Sequence, residues 1–168
     1  MSTPVVGIIM GSDSDMTIMR EACATLDAFG IGYEVIIASA HRTPARAARW
    51  AESAAERGLK VIIAGAGWAA HLAGVIAAGT LLPVVAVPID SSPLNGLDAL
   101  LSMVQMPAGI PVATMAIGKG GARNAALFAV QILATADSAL VKKLADYRLD
   151  MEQQVIAKDA EIQKSLKK

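Results

Sequence analysis

The chain has only two histidines, and each stands in a stretch of small residues: His41 in SAHRTP at 39–44 and His71 in GAGWAAHL at 65–72. A third polar stretch, GSDSD at 11–15, follows an apolar run that starts at Val5. Histidine gives and takes protons near neutral pH, which makes His41 the candidate acid and base. Arg42 beside it carries a planar guanidinium fork that suits a phosphate. Ser12, Ser14 and Ser39 are neutral hydroxyl donors, and Asp15 can accept bonds from the hydroxyls of a sugar. A plainer role exists for each: SDSD can simply cap the helix that follows, and either histidine can bond to loop backbone. Other chemistries lack their parts. There is no nucleophile with its base and orienting group, no metal-ligand spacing and no G-x-x-x-x-G-K-[ST]. Hydrolysis by a serine or thiol, metal catalysis and Walker-type phosphoryl transfer are therefore not expected.

Positioning these residues falls to an alternation of strands and helices. The apolar run Val5 to Met10 reads as a strand, and a helix from about Met16 to Phe29 is closed by Gly30 and Gly32. A second strand, Tyr33 to Ala38, leads through SAHR to Pro44, which is placed to start a helix reaching about Arg57, with Gly58 closing it. The third strand is Val61 to Ala64, followed by the GAGWAAH loop and a short helix to about Ala78. A fourth strand, Val84 to Pro88, precedes a polar loop from Asp90 to Gly96 and a helix from Leu97 to about Val104; a fifth, Val112 to Ile117, precedes a helix from about Ala122 to Ala136. Strands this continuously apolar, each followed by a helix, predict an α/β fold: a parallel five-stranded sheet in a three-layer αβα sandwich. In such sheets ligands bind at the carboxyl ends of the strands, where SDSD, SAHR and GAGWAAH would meet. Unpaired N–H groups and the positive end of a helix dipole there favour phosphate.

The whole chain, 1–168, reads as one domain, with a core over 1–136 and a helical tail over 137–168. Between Ser138 and Leu166 there is no Gly or Pro, and Leu140, Leu144, Tyr147, Met151, Val155, Ile162 and Leu166 recur at helical spacing. Such a helix would be about 43 Å long at about 1.5 Å per residue. A domain of this size has a radius of gyration of roughly 15 Å, so the stripe is expected to rest on a neighbouring subunit. The alternative is a helix that frays into solvent after about Val155.

Fifteen basic residues balance fifteen acidic ones, which leaves no broad basic face for nucleic acid. The single cysteine, Cys23, falls in the apolar pattern of the first helix and is expected in the core, consistent with a reducing, cytoplasmic compartment. MSTPVV lacks a basic segment followed by an apolar core, so no secretory signal is expected. No charged residue stands between Val61 and Ile89, but six Gly and Pro residues punctuate the run at strand and loop spacing, so no membrane span is expected either.

GSDSD, SAHRTP, IIAGAGWAAHLAG at 62–74, LNGLDALLSMVQMPAGIPVATMAIG at 94–118 and NAALFAVQIL at 124–133 together closely resemble the 5-(carboxyamino)imidazole ribonucleotide mutases of purine biosynthesis. The likeness runs from about Val5 to Leu133, and the combination is highly specific. It implies a flavodoxin-like domain assembled as a homo-octamer in the cytoplasm, with a ribonucleotide substrate and neither metal nor cofactor. The implied reaction moves a carboxylate from the exocyclic nitrogen to the ring carbon by decarboxylation and recarboxylation. By motif, Ser12, Asp15 and Arg42 correspond to substrate-binding residues, with Ser14 and Ser39 nearby. His41 corresponds to the proton-transfer histidine, and His71 to the histidine of a substrate-covering loop. Three positions depart from the usual pattern: Trp68 stands where a small residue is common, Ala73 where Pro is, and Ala86 where Gly is. The rival readings are a carboxylase using free carbon dioxide on the unmodified aminoimidazole ribonucleotide, a flavodoxin-like module without enzymatic activity, and a structural paralogue.

Overall fold

A computed structural model describes residues 3–166; the ends of the expected 1–168 domain and of the 137–168 tail lie outside the described residues. Five parallel strands, β1 (Val6–Met10), β2 (Tyr33–Ile37), β3 (Val61–Gly67), β4 (Val84–Ile89) and β5 (Ala113–Thr114), lie in the order β2-β1-β3-β4-β5. This is the flavodoxin-like order. β1 pairs with β2 on one side and β3 on the other, Ile8 lying opposite both Val35 and Ile63. The direction of winding therefore reverses between β1 and β3, which opens a crevice at their carboxyl ends.

Alternation along β1 explains the layers. Val6, Ile8 and Met10 face α1 (Met16–Phe29) and α5 (Lys119–Ala134), with Leu26, Ala125, Ala126 and Ala129 buried beside them. Ile9 faces the opposite layer of α2 (Pro44–Glu52), α3 (Leu72–Ala78) and α4 (Leu97–Val104). Two glycines are required by close approach: a Cβ at Gly7 would meet the Trp50 ring at 2.7 Å, and one at Gly65 would collide with the Met19 side chain. Cys23 is buried in the first layer, and burial raises its thiol pKa above the ordinary value.

Several boundaries differ from the sequence reading. α2 stops at Glu52 rather than near Arg57, because Ala54 N–H turns back to the Ala51 carbonyl at 3.2 Å and residues 53–58 continue as turns. Gly58, with φ +93, still closes the segment: its N–H reaches Ala55 and that of Leu59 reaches Ala54. β3 runs on to Gly67 because Gly65, Ala66 and Gly67 pair with Val87, Pro88 and Ile89. β5 shrinks to two residues; beyond it only single bonds reach β4, from Met115 N–H to Ala86 and from Gly118 N–H to Pro88, which has no N–H to offer in return. α5 spans Lys119–Ala134, starting and ending earlier than expected.

The tail is one helix, α6 (Ser138–Leu166), which continues past Val155. Only its first turns rest on the core. Leu140 is buried, Tyr147 packs on Phe29 with ring centroids 5.6 Å apart, and the Lys143 ammonium donates to the Phe29 carbonyl at 2.7 Å. No helix among the described residues is long and apolar enough to cross a membrane.

Candidate functional site

The loops after β1, β2 and β3 meet in one cavity of about 480 Å³ at the carboxyl edge of the sheet. All seven residues singled out from sequence line it: Ser12, Ser14, Asp15, Ser39, His41, Arg42 and His71. Among the described residues no cluster of three or more His, Cys, Asp or Glu side chains has the arrangement of a metal site.

The first loop is held by a short 3-10 turn, Asp13–Asp15, ahead of α1. The Asp15 carboxylate accepts the Ser12 N–H at 2.9 Å, and Ser14 Oγ donates to Ser12 Oγ at 3.0 Å. Asp15 is only 5% exposed. Burial raises its pKa above the ordinary value, opposed by the Ser12 and Gly11 N–H groups and by the Arg42 guanidinium. SDSD therefore does brace the helix start, as the plainer reading had it, while Ser12 and Ser14 stay on the cavity wall.

In the second loop, Ser39 is the hub. Its Oγ accepts the N–H groups of His41 at 3.3 Å and Arg42 at 3.1 Å, and its own N–H donates to Thr43 Oγ1 at 2.8 Å. Ser39 thus shapes the turn that presents its neighbours. Arg42 Nη2 donates to the Gly11 carbonyl at 2.7 Å, which ties the second loop to the first and leaves the rest of the exposed fork toward the cavity.

The third loop brings His71 to His41. Their rings meet edge to face at 5.0 Å between centroids, with His41 Nε2 and His71 Nδ1 2.8 Å apart. A contact this short between two ring nitrogens needs one proton, carried by one ring and accepted by the other. Among the described residues neither histidine bonds through its side chain to loop backbone, and each is exposed to the cavity. The pairing itself was not legible in sequence, since 30 residues separate the two.

Of the cavity residues outside the expected set, Ser91 and Trp68 bring new side-chain chemistry. Ser91, from the loop after β4, lines the wall, and its Oγ lies so close to Gly67 that any side chain there would collide with it. The doubled serine, Ser91 and Ser92, after an apolar strand was the available signal. Trp68 lines the mouth at 60% exposure with φ +56, and Ala70 follows at φ +33. Left-handed backbone at a non-glycine residue costs about 1–2 kcal/mol.

Comparison with known proteins places these features in context. A sequence model of the family described as AIR carboxylase matches residues 5–154. A Pyrococcus horikoshii protein named N5-carboxyaminoimidazole ribonucleotide mutase is 59% identical over 152 residues, which cover 90% of this chain and 85% of that one. The protein of the same name from Bacillus subtilis is 56% identical, covering 91% of this chain and 94% of its own. The crystal structure of Treponema denticola PurE superposes with a TM-score of 0.83 at 30% identity, over 94% of this chain and 98% of that one.

Proposed function

The chain belongs to the AIR carboxylase family, and from that premise we propose how its residues perform the reaction of an N5-carboxyaminoimidazole ribonucleotide mutase. The protein is an isomerase of purine biosynthesis: it transfers the carboxylate from the exocyclic nitrogen of the substrate to its ring carbon. The observation that carries the residue-level reading is the His41–His71 contact beside the Arg42 fork, inside a cavity built by three separate loops.

The free fork of Arg42 and the hydroxyls of Ser12 and Ser14 take the phosphate, with the start of α1 contributing its dipole. Asp15 accepts from the ribose hydroxyls. Ser39 holds the turn and keeps its own O–H for the ligand. The heterocycle then lies against His41. The bond from carbon to the exocyclic nitrogen breaks, releasing carbon dioxide, and His41 supplies the proton that leaves that nitrogen as an amine. The electron-rich ring carbon attacks the carbon dioxide, and the same histidine removes the ring proton. One proton is given and one is taken, so a single shuttle suffices. His71 steadies the His41 ring through the bond they share. Proximity supplies the rest, because the released carbon dioxide starts within reach of the ring carbon.

Assembly as a homo-octamer is part of this reading, with the outer half of α6 lying on a neighbouring subunit. Its support is the row of exposed apolar residues there, Met151, Val155, Ile162 and Leu166 among them. The family's purine-pathway chemistry accords with a cytoplasmic location.

The direct test incubates the purified protein with N5-carboxyaminoimidazole ribonucleotide and measures the carbon-carboxylated product. A parallel arm supplies the unmodified aminoimidazole ribonucleotide with bicarbonate. Turnover confined to the first arm is expected; turnover confined to the second would make the protein a carboxylase, and turnover in neither would remove the reading.

A further inference from the structure

We propose that Trp68 is an aromatic cover for the cavity, one that retains the released carbon dioxide until the ring carbon captures it. The inference rests on the mutase reading above and adds a residue to it that determines how faithfully the carboxylate is transferred.

Trp68 lines the mouth of the cavity and is 60% exposed. Among the described residues the aromatic pairs are Phe29 with Tyr147 and His41 with His71, and the cation–π contact is Arg57 over Trp50, so the Trp68 indole takes part in none of them. Its backbone is nevertheless fixed. Gly67 on one side is paired with Ile89 in the sheet, Ala70 N–H returns to the Gly67 carbonyl at 3.2 Å, and α3 begins at Leu72. The Ala69 carbonyl accepts the hydroxyl of Ser102 from α4. A braced turn with φ +56 at Trp68 is a place that favours glycine. The largest side chain of all is held there, exposed and lining the cavity. An unfavourable backbone at a cavity mouth, carrying a residue the core does not use, points to a task at that mouth.

The chemistry supplies the task. Carbon dioxide is small and uncharged, and the polar groups around His41, Arg42 and the serines hold it weakly. It is kept by closing its way out and by excluding the water and bicarbonate that would exchange with it. A broad apolar indole does this, and its face also suits a planar heterocycle below.

The test runs N5-carboxyaminoimidazole ribonucleotide in buffer containing 13C-bicarbonate, with the wild-type protein, Trp68→Gly and Trp68→Phe, correcting for spontaneous decarboxylation. Glycine accepts the φ at this position, so Trp68→Gly should fold, with an unfolding midpoint at or above that of the wild type. Wild-type product should carry the substrate's own, unlabelled carboxyl carbon. In Trp68→Gly the share of free aminoimidazole ribonucleotide and of labelled product should rise several-fold, and Trp68→Phe should largely restore retention. A second readout needs no turnover. Of the two tryptophans only Trp68 remains in Trp50→Phe, and its emission should change on adding aminoimidazole ribonucleotide but not inorganic phosphate. The proposal falls if Trp68→Gly partitions like the wild type, or if the emission ignores the nucleotide. It also falls if light scattering shows that Trp68→Gly has lost subunits, which would make the indole a subunit contact. A wild-type protein with no mutase turnover would instead overturn the proposed function, and the emission experiment would still decide whether Trp68 covers a bound nucleotide.

Discussion

The cavity loops and the outer half of α6 both leave large side chains in the open, and they do so in opposite ways. In the loops the exposed groups are mostly polar and bonded to one another: His41 to His71 and Arg42 to the Gly11 carbonyl across the chain, and Ser14 to Ser12 within one loop. In the outer half of α6 the large apolar groups Leu149, Met151, Val155, Ile156, Ile162 and Leu166 are exposed among charged and amide side chains, and the side-chain hydrogen bonds beside them stay within the helix, as from Gln154 to Asp150. Polar groups braced by their neighbours keep a geometry for a small ligand. Apolar groups on a helix that has left its own core gain only when another chain covers them. Trp68, apolar yet placed among the braced polar groups, belongs with the loops by position and with the helix by chemistry, which is why its role needs an experiment that separates ligand from subunit.

The largest effect should come from His41. Because it is exposed and belongs to the loops, His41→Asn should fold and bind nucleotide while turnover falls by about a hundredfold or more, the usual scale for a positioned acid–base group. Turnover and unfolding midpoint measured on one preparation decide the matter; a less stable variant with normal turnover would show that the loop histidine does structural work after all. Arg42→Ala comes next. Losing a charge-assisted pair to phosphate should weaken nucleotide binding by about 2 kcal/mol, roughly 30-fold, as read by calorimetry. Arg42→Lys should not restore it, since a single ammonium cannot hold the Gly11 carbonyl and also present a planar fork to phosphate.

What sequence made legible follows the same division. The layers and the seven cavity residues were within reach because apolar runs, glycine stops and polar stretches after strands are local signals, and the sheet brings those stretches together; the strand order came only with the family resemblance. The end of α2 was not, because residues 53–58 are organised by remote partners: Arg57 Nη2 donates to Glu34 on β2 at 2.8 Å and also reaches the Trp50 carbonyl. The length of β3 was hidden because Gly65 and Gly67 look like loop residues, whereas they are strand positions emptied for Met19 and Ser91. The histidine pair and the left-handed Trp68 depend on how two loops fold against each other, which no spacing records.

Cutting the chain after Met151 tests the other side of the comparison. The described residues among those removed, 152–166, make no contribution to the buried core, so the folded protomer should keep its helix and sheet signals. The assembly should weaken by about 1.5–3 kcal/mol per protomer, the scale of covering one large aliphatic side chain, and light scattering at falling concentration should show dissociation at a higher protein level than for the full chain. Equal dissociation profiles would mean that the stripe faces solvent in the assembly too.

The smallest effect concerns Asp15, which brace and ligand roles would claim equally. Its burial raises the folded-state pKa above the ordinary 3.8, so the folded protein holds that proton more tightly than the unfolded chain does. Stability from this group is therefore greatest at low pH and declines as pH rises from the ordinary carboxylate value through the raised one, leaving a small cost at neutral pH. Asp15→Asn removes the charge and keeps an oxygen to accept the Ser12 N–H. Chemical denaturation across pH 3 to 7 should show the variant equal to the wild type or up to about 1 kcal/mol more stable at neutral pH, with a flatter acid limb. The same variant should bind the ribonucleotide more weakly while binding inorganic phosphate almost as before, because only the sugar hydroxyls lose their acceptor. A variant that is less stable at pH 7 yet binds normally would move Asp15 out of the site and leave it as the cap of α1.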